Sequence, residues 1–478
     1  MKTKLRLTLA FVLLMNIVSC SQAQSETPET TASQTEVTSS GETDTRQPYI
    51  EKNDLGGARF TIFAPDWGLY SNYFFADEQS GDAMNDAIWE REMLTEDYLN
   101  VDIQYIKEGT INDTRAALSS MVMSGDDTYQ LALTHCITPT AELITDGLIL
   151  DWNTIPTVDL SREYWNQSCN ENLSLYGKQY YAVSDYMIAD PNAVFFNKEL
   201  IESYQLENPY DLVRQNEWTL DKLNEMASVV TIDLNGDSVF NENDQYGFYG
   251  SETWMYASFF YSSGIHFTEK QDDGSLALSL NNERTYSLFE KLDQLINRSG
   301  STYKPADTTL KLDMSSGKLL FQIEALNRLN LYRDCDVDFG IVPYPLLDDT
   351  QTAYETNDWS GLMCIPATAG DTSMIGMVCE MLAYYSEDTT IPAYYDLLLG
   401  EKFARDADSK EMLELIFDNV IYDAGMNYFG HSGTMYDLFY SISNLLLKEG
   451  SSDFASYYNA RETSSQALIE DMLEKVSD

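Results

Sequence analysis

The sequence predicts an α/β protein built on open, mainly parallel sheets, and three observations carry that expectation. Strand-like and helix-like segments alternate as β-α-β-α-β through the first folded stretch, the order that buries a parallel sheet under crossover helices. The chain has 478 residues, enough for two or three domains, since single cores rarely grow past about 250–300 residues. Its composition, 44% hydrophobic and 12% aromatic, is that of a packed body and not of a disordered chain.

Residues 60–63 (Phe-Thr-Ile-Phe) give the first strand, and a polar loop over 64–82 leads into a helix over 85–99 with Ile88, Met93 and Leu94 on one face. A strand at 101–103, a helix at 114–123 and a strand at 129–133 complete the alternation. In such sheets ligands sit beyond the carboxyl ends of the strands, which directs attention to loops 64–73 and 134–138. Further on, strands are expected at 193–196 and 339–342, and helices at 220–229, 258–264 and 283–295. Segments 374–385, 410–416, 435–447 and 454–476 all carry helical patterning, so the last third is mostly helical. No internal repeat is present.

The two ends of the composition differ. Lys2, Lys4 and Arg6 precede an apolar run at 7–15 that closes on Ile17-Val18-Ser19-Cys20, the layout of an export signal over 1–20. The run is shorter than the roughly 20 residues that span a bilayer, and no later stretch approaches that length. Ordinary cleavage needs no cysteine, and the Ile-Val-Ser-Cys ending resembles a bacterial lipobox; lipidation of Cys20 and plain secretion both stay open. Lipidation would put the chain on the extracellular face of a cell membrane. Residues 21–48, mostly Ser, Thr, Glu, Gln and Ala without an aromatic, read as a disordered tether. The formal charge of -48, from 29 Lys and Arg against 77 Asp and Glu, removes nucleic acid and anionic lipid surfaces as partners, because both are bound by cationic side chains. The five further cysteines, Cys136, Cys169, Cys335, Cys364 and Cys379, form no CxxC pair and no zinc spacing, and read as small buried apolar residues with one disulfide left open.

One segment carries metal-ligand spacing. Asp233, Asn235, Asp237, the Val239 carbonyl, Asn241 and Asp244 fall at positions one, three, five, seven, nine and twelve of a twelve-residue loop, the EF-hand pattern for Ca²⁺. Asp244 stands in place of the bidentate Glu, and Ser238 in place of the glycine at six. The expected role is structural, holding loop 233–244 between the helix at 220–229 and the strand-like Tyr246-Gly-Phe248. A polar turn that binds nothing is the alternative, since Asn, Asp and Gly dominate turns in general.

A series of short phrases then recurs in order: Gly147-Leu-Ile-Leu-Asp151, Tyr176-Gly-Lys-Gln-Tyr180, Phe195-Phe-Asn-Lys-Glu-Leu200, Asn208-Pro-Tyr-Asp211 with Trp218-Thr-Leu-Asp221, Ser316-Gly-Lys-Leu-Leu-Phe321, Asp338-Phe-Gly-Ile-Val-Pro343, Arg405-Asp406 before Ser409-Lys-Glu-Met-Leu413, and Tyr422-Asp423. In this order the chain resembles the extracellular solute-binding proteins that deliver ligands to ABC importers, in the cluster containing maltose-binding protein. The resemblance implies a two-lobed periplasmic-binding-protein-like fold of type II, with lobes joined by crossing hinge segments. Lobe one would take 49–190 and 358–410, and lobe two 191–357 and 411–478. It also implies a monomer that captures a small molecule, most often a carbohydrate, by closure, and passes it intact to permease subunits.

Sugars are held by aromatic faces and by carboxylates or amides that pair with hydroxyls. The loops offer Asp66 and Trp67 after the first strand, His135 after the third, and Asp185 before the crossing; the resemblance adds Asp190 at the crossing as an acidic sugar ligand. It also points to Glu252 with Trp254, to Glu324 and Asn327 at a turn, and to Trp359 at the second crossing. Trp89, Trp152, Trp165 and Trp218 read as core. No HExxH, GxSxG, Walker or GxGxxG phrase is present, and Ser315-Ser-Gly-Lys318 lacks the partner motifs of SxxK chemistry. The expectation is therefore a binder and not an enzyme. The rivals are a surface glycosidase with two carboxylates across a cleft, an adhesion scaffold, and a receptor for peptides or polyamines, which an acidic cleft would also suit.

Overall fold

The computed structural model describes residues 47–138, 140–305, 312–332, 334–403 and 407–477. The signal segment 1–20, Cys20 and nearly all of the tether 21–48 lie outside them. The β-α-β-α-β order forms where alternation places it. β1 (Ala58–Asp66) pairs in parallel with β2 (Val101–Thr110) on one side and with β3 (Leu131–His135) on the other. Helices Ala83–Leu99 and Thr114–Ser124 make the connections. The first begins where the Asp82 carboxylate accepts the N–H groups of Met84 and Asn85, and ends at Asn100 in a left-handed turn, φ 48°.

The remaining strands are β4 (Asn192–Asn197), β5 (Tyr246–Gly250), the hairpin β6 (Thr268–Lys270) and β7 (Leu276–Leu278), β8 (Leu319–Ala325), β9 (Phe339–Val342), β10 (Thr356–Asn357), β11 (Gly361–Cys364) and β12 (Val420–Ile421). Two four-stranded sheets result, ordered β11-β3-β1-β2 and β5-β8-β4-β9. β11 is antiparallel to β3, and β4 is antiparallel to both β8 and β9, while β5 and β8 are parallel. The expectation of mainly parallel sheets thus gives way to mixed ones. The reason is directional: β4 and β11 begin at crossings between the sheets and run away from them, whereas β1, β3, β5 and β8 arrive with their carboxyl ends there.

Packing on the second sheet is close. A Cβ on Gly247 would lie 2.2 Å from the Ala227 carbonyl oxygen, so helix Leu220–Val230 sits directly on β5. Trp152, Trp165 and Trp218 are fully buried, as read from the sequence. Each indole N–H is satisfied, on the Met363 carbonyl (3.3 Å), Glu380 Oε1 (3.0 Å) and the Pro343 carbonyl (2.8 Å) respectively. Trp89 is only half-buried. The single helix expected over 454–476 breaks into Phe454–Asn459 and Glu462–Ser477. At the break the Arg461 guanidinium stacks on Tyr457 (3.5 Å) and reaches Asp437 (3.1 Å). Helix Ala407–Asp418 packs on β9 and meets helix Pro209–Arg214, Ser409 against Tyr210 (2.8 Å) and Glu411 against Arg214 (2.6 Å). All five described cysteines are free and buried, which closes the question of a disulfide among them. No helix among the described residues is long and apolar enough to cross a membrane.

Candidate ligand-binding site

Three segments cross between the sheets: 190–192 into β4, 356–360 into β11, and 420–423 through β12, which pairs with β10. Strand ends from both sheets converge on them. At the carboxyl end of β1, Trp67 packs on Tyr70 (5.7 Å), Phe74 (4.9 Å) and His135 (6.2 Å, at the end of β3). Its ring covers Gly361, the β11 residue in register with His135. A Cβ at Gly361 would come within 2.7 Å of that ring and 2.5 Å of the Thr134 carbonyl oxygen, so only glycine fits there.

Two residues before Gly361, Trp359 meets Trp254 edge to face at 4.6 Å and leans on Phe439 at 5.7 Å. Trp254 stands on the short 3-10 turn Thr253–Ala257 that follows β5, and the Arg328 guanidinium lies 5.9 Å over its ring. Arg328 also reaches Glu252 (3.4 Å) and Glu324 (3.5 Å), so one cation is shared by two carboxylates. The neighbouring Asn327 donates to Asp190 from its backbone N–H (3.1 Å) and its side-chain amide (2.6 Å). The Trp359 backbone N–H donates to the Asp190 carbonyl at 3.2 Å, which closes the chain of contacts.

Asp190, Glu252, Trp254, Glu324, Asn327 and Trp359 are therefore brought together, and Trp67 with His135 packs at Gly361, two residues along the same crossing. Asp66 and Asp185 are not brought in. Asp66 is exposed and spent on its own turn, accepting the Gly68 N–H (2.9 Å) and facing Lys107 (3.3 Å), which hold its carboxyl below the usual range. Asp185 follows the Trp165–Ser184 bridge, its backbone N–H on the Tyr164 carbonyl (2.9 Å). Arg328 escaped the sequence reading, although its i,i+4 spacing from Glu324 on a turn is a visible signal. Gly361, Asp358 and Tyr422 also carried none by themselves.

Burial governs the charges. Asp190 is 4% exposed, and desolvation pushes its carboxyl from 3.8 to about 8, against the Asn327 N–H and with a further push from Asp358. Burial, then His431, lowers His135 from 6.5 to about 4, so the ring is neutral at pH 7. Its Nδ1 accepts the Ile137 N–H (3.4 Å), leaving Nε2 as the donor. Glu324 is 3% exposed and already accepts from Gln322 (3.0 Å), Tyr332 (3.1 Å) and the Ala325 N–H (3.1 Å). Three buried polar atoms in this constellation have no partner: Trp67 Nε1, Trp359 Nε1 and Asn327 Oδ1.

Loop 233–244 closes between a backbone bridge from Ile232 to Gln245. Asp233 accepts the N–H groups of Gly236 (2.7 Å) and Ser238 (2.7 Å), and Asp237 that of Val239 (2.7 Å). The fully buried Asp244 accepts those of Leu234 (3.0 Å) and Asn241 (2.9 Å). Ser238, at the position of the turn glycine, has φ 64°. No group of three or more His, Cys, Asp or Glu side chains is gathered as a metal centre among the described residues.

No family model matches the chain, and no curated protein sequence matches it. Solved structures do. The galacto-N-biose/lacto-N-biose I-binding protein of an ABC transporter from Bifidobacterium longum, in complex with lacto-N-biose, superposes with a TM-score of 0.60 at 13% identity, over 87% of this chain and 98% of its own. A cyclic α-maltosyl-1,6-maltose binding protein from Arthrobacter globiformis gives 0.58 at 14% identity, over 87% and 100%. The maltose-binding protein MalE from Listeria monocytogenes, in complex with maltose, gives 0.55 at 13% identity, over 88% and 98%. At such identities the likeness is one of fold: a mixed α/β body of the two-lobed periplasmic-binding-protein kind.

Proposed function

We propose that the protein is an exported, lipid-anchored receptor that captures a neutral sugar or oligosaccharide at the crossings, by closure of its two lobes, and delivers it to the permease of an ABC importer. One observation carries the reading. Two buried indole N–H donors, on Trp67 and Trp359, and one end of the Asn327 amide lack partners, and the Trp359 ring meets that of Trp254. A buried polar group left unpaired costs about 1–3 kcal/mol, so these atoms call for a ligand that both accepts and donates. Hydroxyls do both, and a pyranose adds an apolar face for a ring. An ammonium only donates, so a polyamine would leave both indoles unpaired.

Capture without turnover fits the carboxylates. A glycosidase needs one acid and one base or nucleophile flanking the scissile bond. Here Glu252 and Glu324 share Arg328, and Glu324 is committed to three donors. The sugar ligands of the similar structures support the carbohydrate class, and the Cys20 motif with the tether at 21–48 supports the anchor. The purified mature protein, titrated with lacto-N-biose, maltose, maltotetraose, spermidine and a tetrapeptide, is expected to change its tryptophan fluorescence with at least one sugar and to return that sugar uncleaved. Response to spermidine or peptide alone refutes the reading.

Loop 233–244 is proposed to take Ca²⁺ as a structural pin, through Asp233, Asn235, Asp237, the Val239 carbonyl, Asn241 and Asp244. Its support is the ligand spacing together with the left-handed turn at Ser238 and the Ile232–Gln245 closure.

A further inference from the structure

The three crossings meet at one side chain. Asp358 is 1% exposed and lies on the second crossing. Its Oδ1 accepts the backbone N–H of Asp190 on the first crossing (2.8 Å) and of Ser360 on its own (2.8 Å). Its Oδ2 accepts the hydroxyl of Tyr422 on the third crossing (2.6 Å) and that of Ser360. Four donors on one buried carboxylate satisfy it fully, and two of the four come from other crossings. A second link runs alongside: Asn192 donates to Ser258 (3.0 Å), which donates to Asn357 (2.8 Å).

We propose that Asp358 is a positioning residue for lobe closure: its carboxylate knots the three crossings together and thereby sets the equilibrium between open and closed arrangements. The knot also holds the site it does not touch. Asp190 is fixed through its N–H, and the Asp190 carbonyl in turn holds Trp359, so any rotation of one crossing against another must stretch a charge-assisted bond at Asp358. A receptor whose closed state is populated only in part binds more weakly by that fraction, so loosening the knot changes affinity without removing a ligand contact.

The chemistry supplies an internal control. Tyr422→Phe and Ser360→Ala each remove one hydroxyl from Asp358, but only Tyr422 joins it to a different crossing. Paired spin labels at Met123→Cys and Val229→Cys, both exposed and on helices of opposite sheets, report the distance between lobes in ligand-free full-length protein. A Cys20→Ser background leaves only the five buried cysteines, which do not label. Tyr422→Phe is expected to shift or broaden the distance distribution and Ser360→Ala to leave it as in the parent; Asp358→Asn, if folded, shifts it furthest. An unchanged distribution in Tyr422→Phe, or an equal shift in Ser360→Ala, overturns the proposal. The inference rests on the capture reading for its consequence in affinity alone. Because the distances are measured without ligand, they stand or fall separately from the identity of the sugar.

Discussion

Replacing Trp254 by alanine removes the half-buried partner of the Trp254–Trp359 pair while leaving the crossings intact. A pyranose laid on an indole face covers roughly 80–100 Å² of apolar surface, which at about 25 cal/mol per Å² is worth about 2–2.5 kcal/mol. At 1.4 kcal/mol per decade the variant should bind its sugar about thirty- to sixtyfold more weakly. Stability should fall less: an edge-to-face pair contributes about 0.5–1.5 kcal/mol, and the Arg328 interaction about 0.5–1 kcal/mol. Titration calorimetry gives the affinity and a denaturation curve confirms that the variant is folded. Trp254→Phe, which keeps a face, should recover most of the loss. A folded Trp254→Ala protein that binds within twofold of the parent would remove this ring from the site, and with it the stacking argument.

Three further outcomes follow from the same geometry. Gly361→Ala puts a Cβ 2.7 Å from the Trp67 ring and 2.5 Å from the Thr134 carbonyl, so it should destabilise by about 1–3 kcal/mol and weaken sugar binding together, measured by melting and titration. Asp190 binds a proton in the folded state up to about pH 8 and in the unfolded state only up to its ordinary value of 3.8. Folding therefore takes up a proton between those values, and stability falls as pH rises, by up to 1.4 kcal/mol per unit. His135, lowered from 6.5 to about 4, acts in the opposite sense only below 6.5. Between pH 6.5 and 8 the melting temperature should thus drop, and drop less steeply in Asp190→Asn. Ca²⁺ at ten times its dissociation constant for loop 233–244 should add about 1.4 kcal/mol over EDTA, and Asp233→Asn with Asp237→Asn should abolish the difference in melting.

Local patterning made much of this legible. The strand at 339–342 forms as read, and the first five elements form in order, because apolar alternation and Asp82-type caps act over a few residues. β8 was hidden: Leu319–Ala325 is buried on both faces, so it has no alternation to read. The direction of β4 was hidden too, since it depends on where the chain crosses between sheets. In the site, strand ends pointed to Trp67 and His135, and the resemblance to Asp190, Glu252, Trp254, Glu324, Asn327 and Trp359, which lie along the crossings. Asp66 shows why proximity to a strand end is insufficient: the Gly68 N–H and Lys107 claim its carboxylate first. Asp358 was invisible because its importance lies in joining Asp190 and Tyr422, residues 168 and 64 positions away.

Scattering and calorimetry on one sample address capture by closure most directly. Full-length protein titrated with maltose, maltotetraose and lacto-N-biose should bind at least one of them at one site per chain, with a smaller radius of gyration at saturation and the sugar recovered unchanged. Binding without compaction, consumption of the sugar, or a response confined to spermidine or peptide would contradict it.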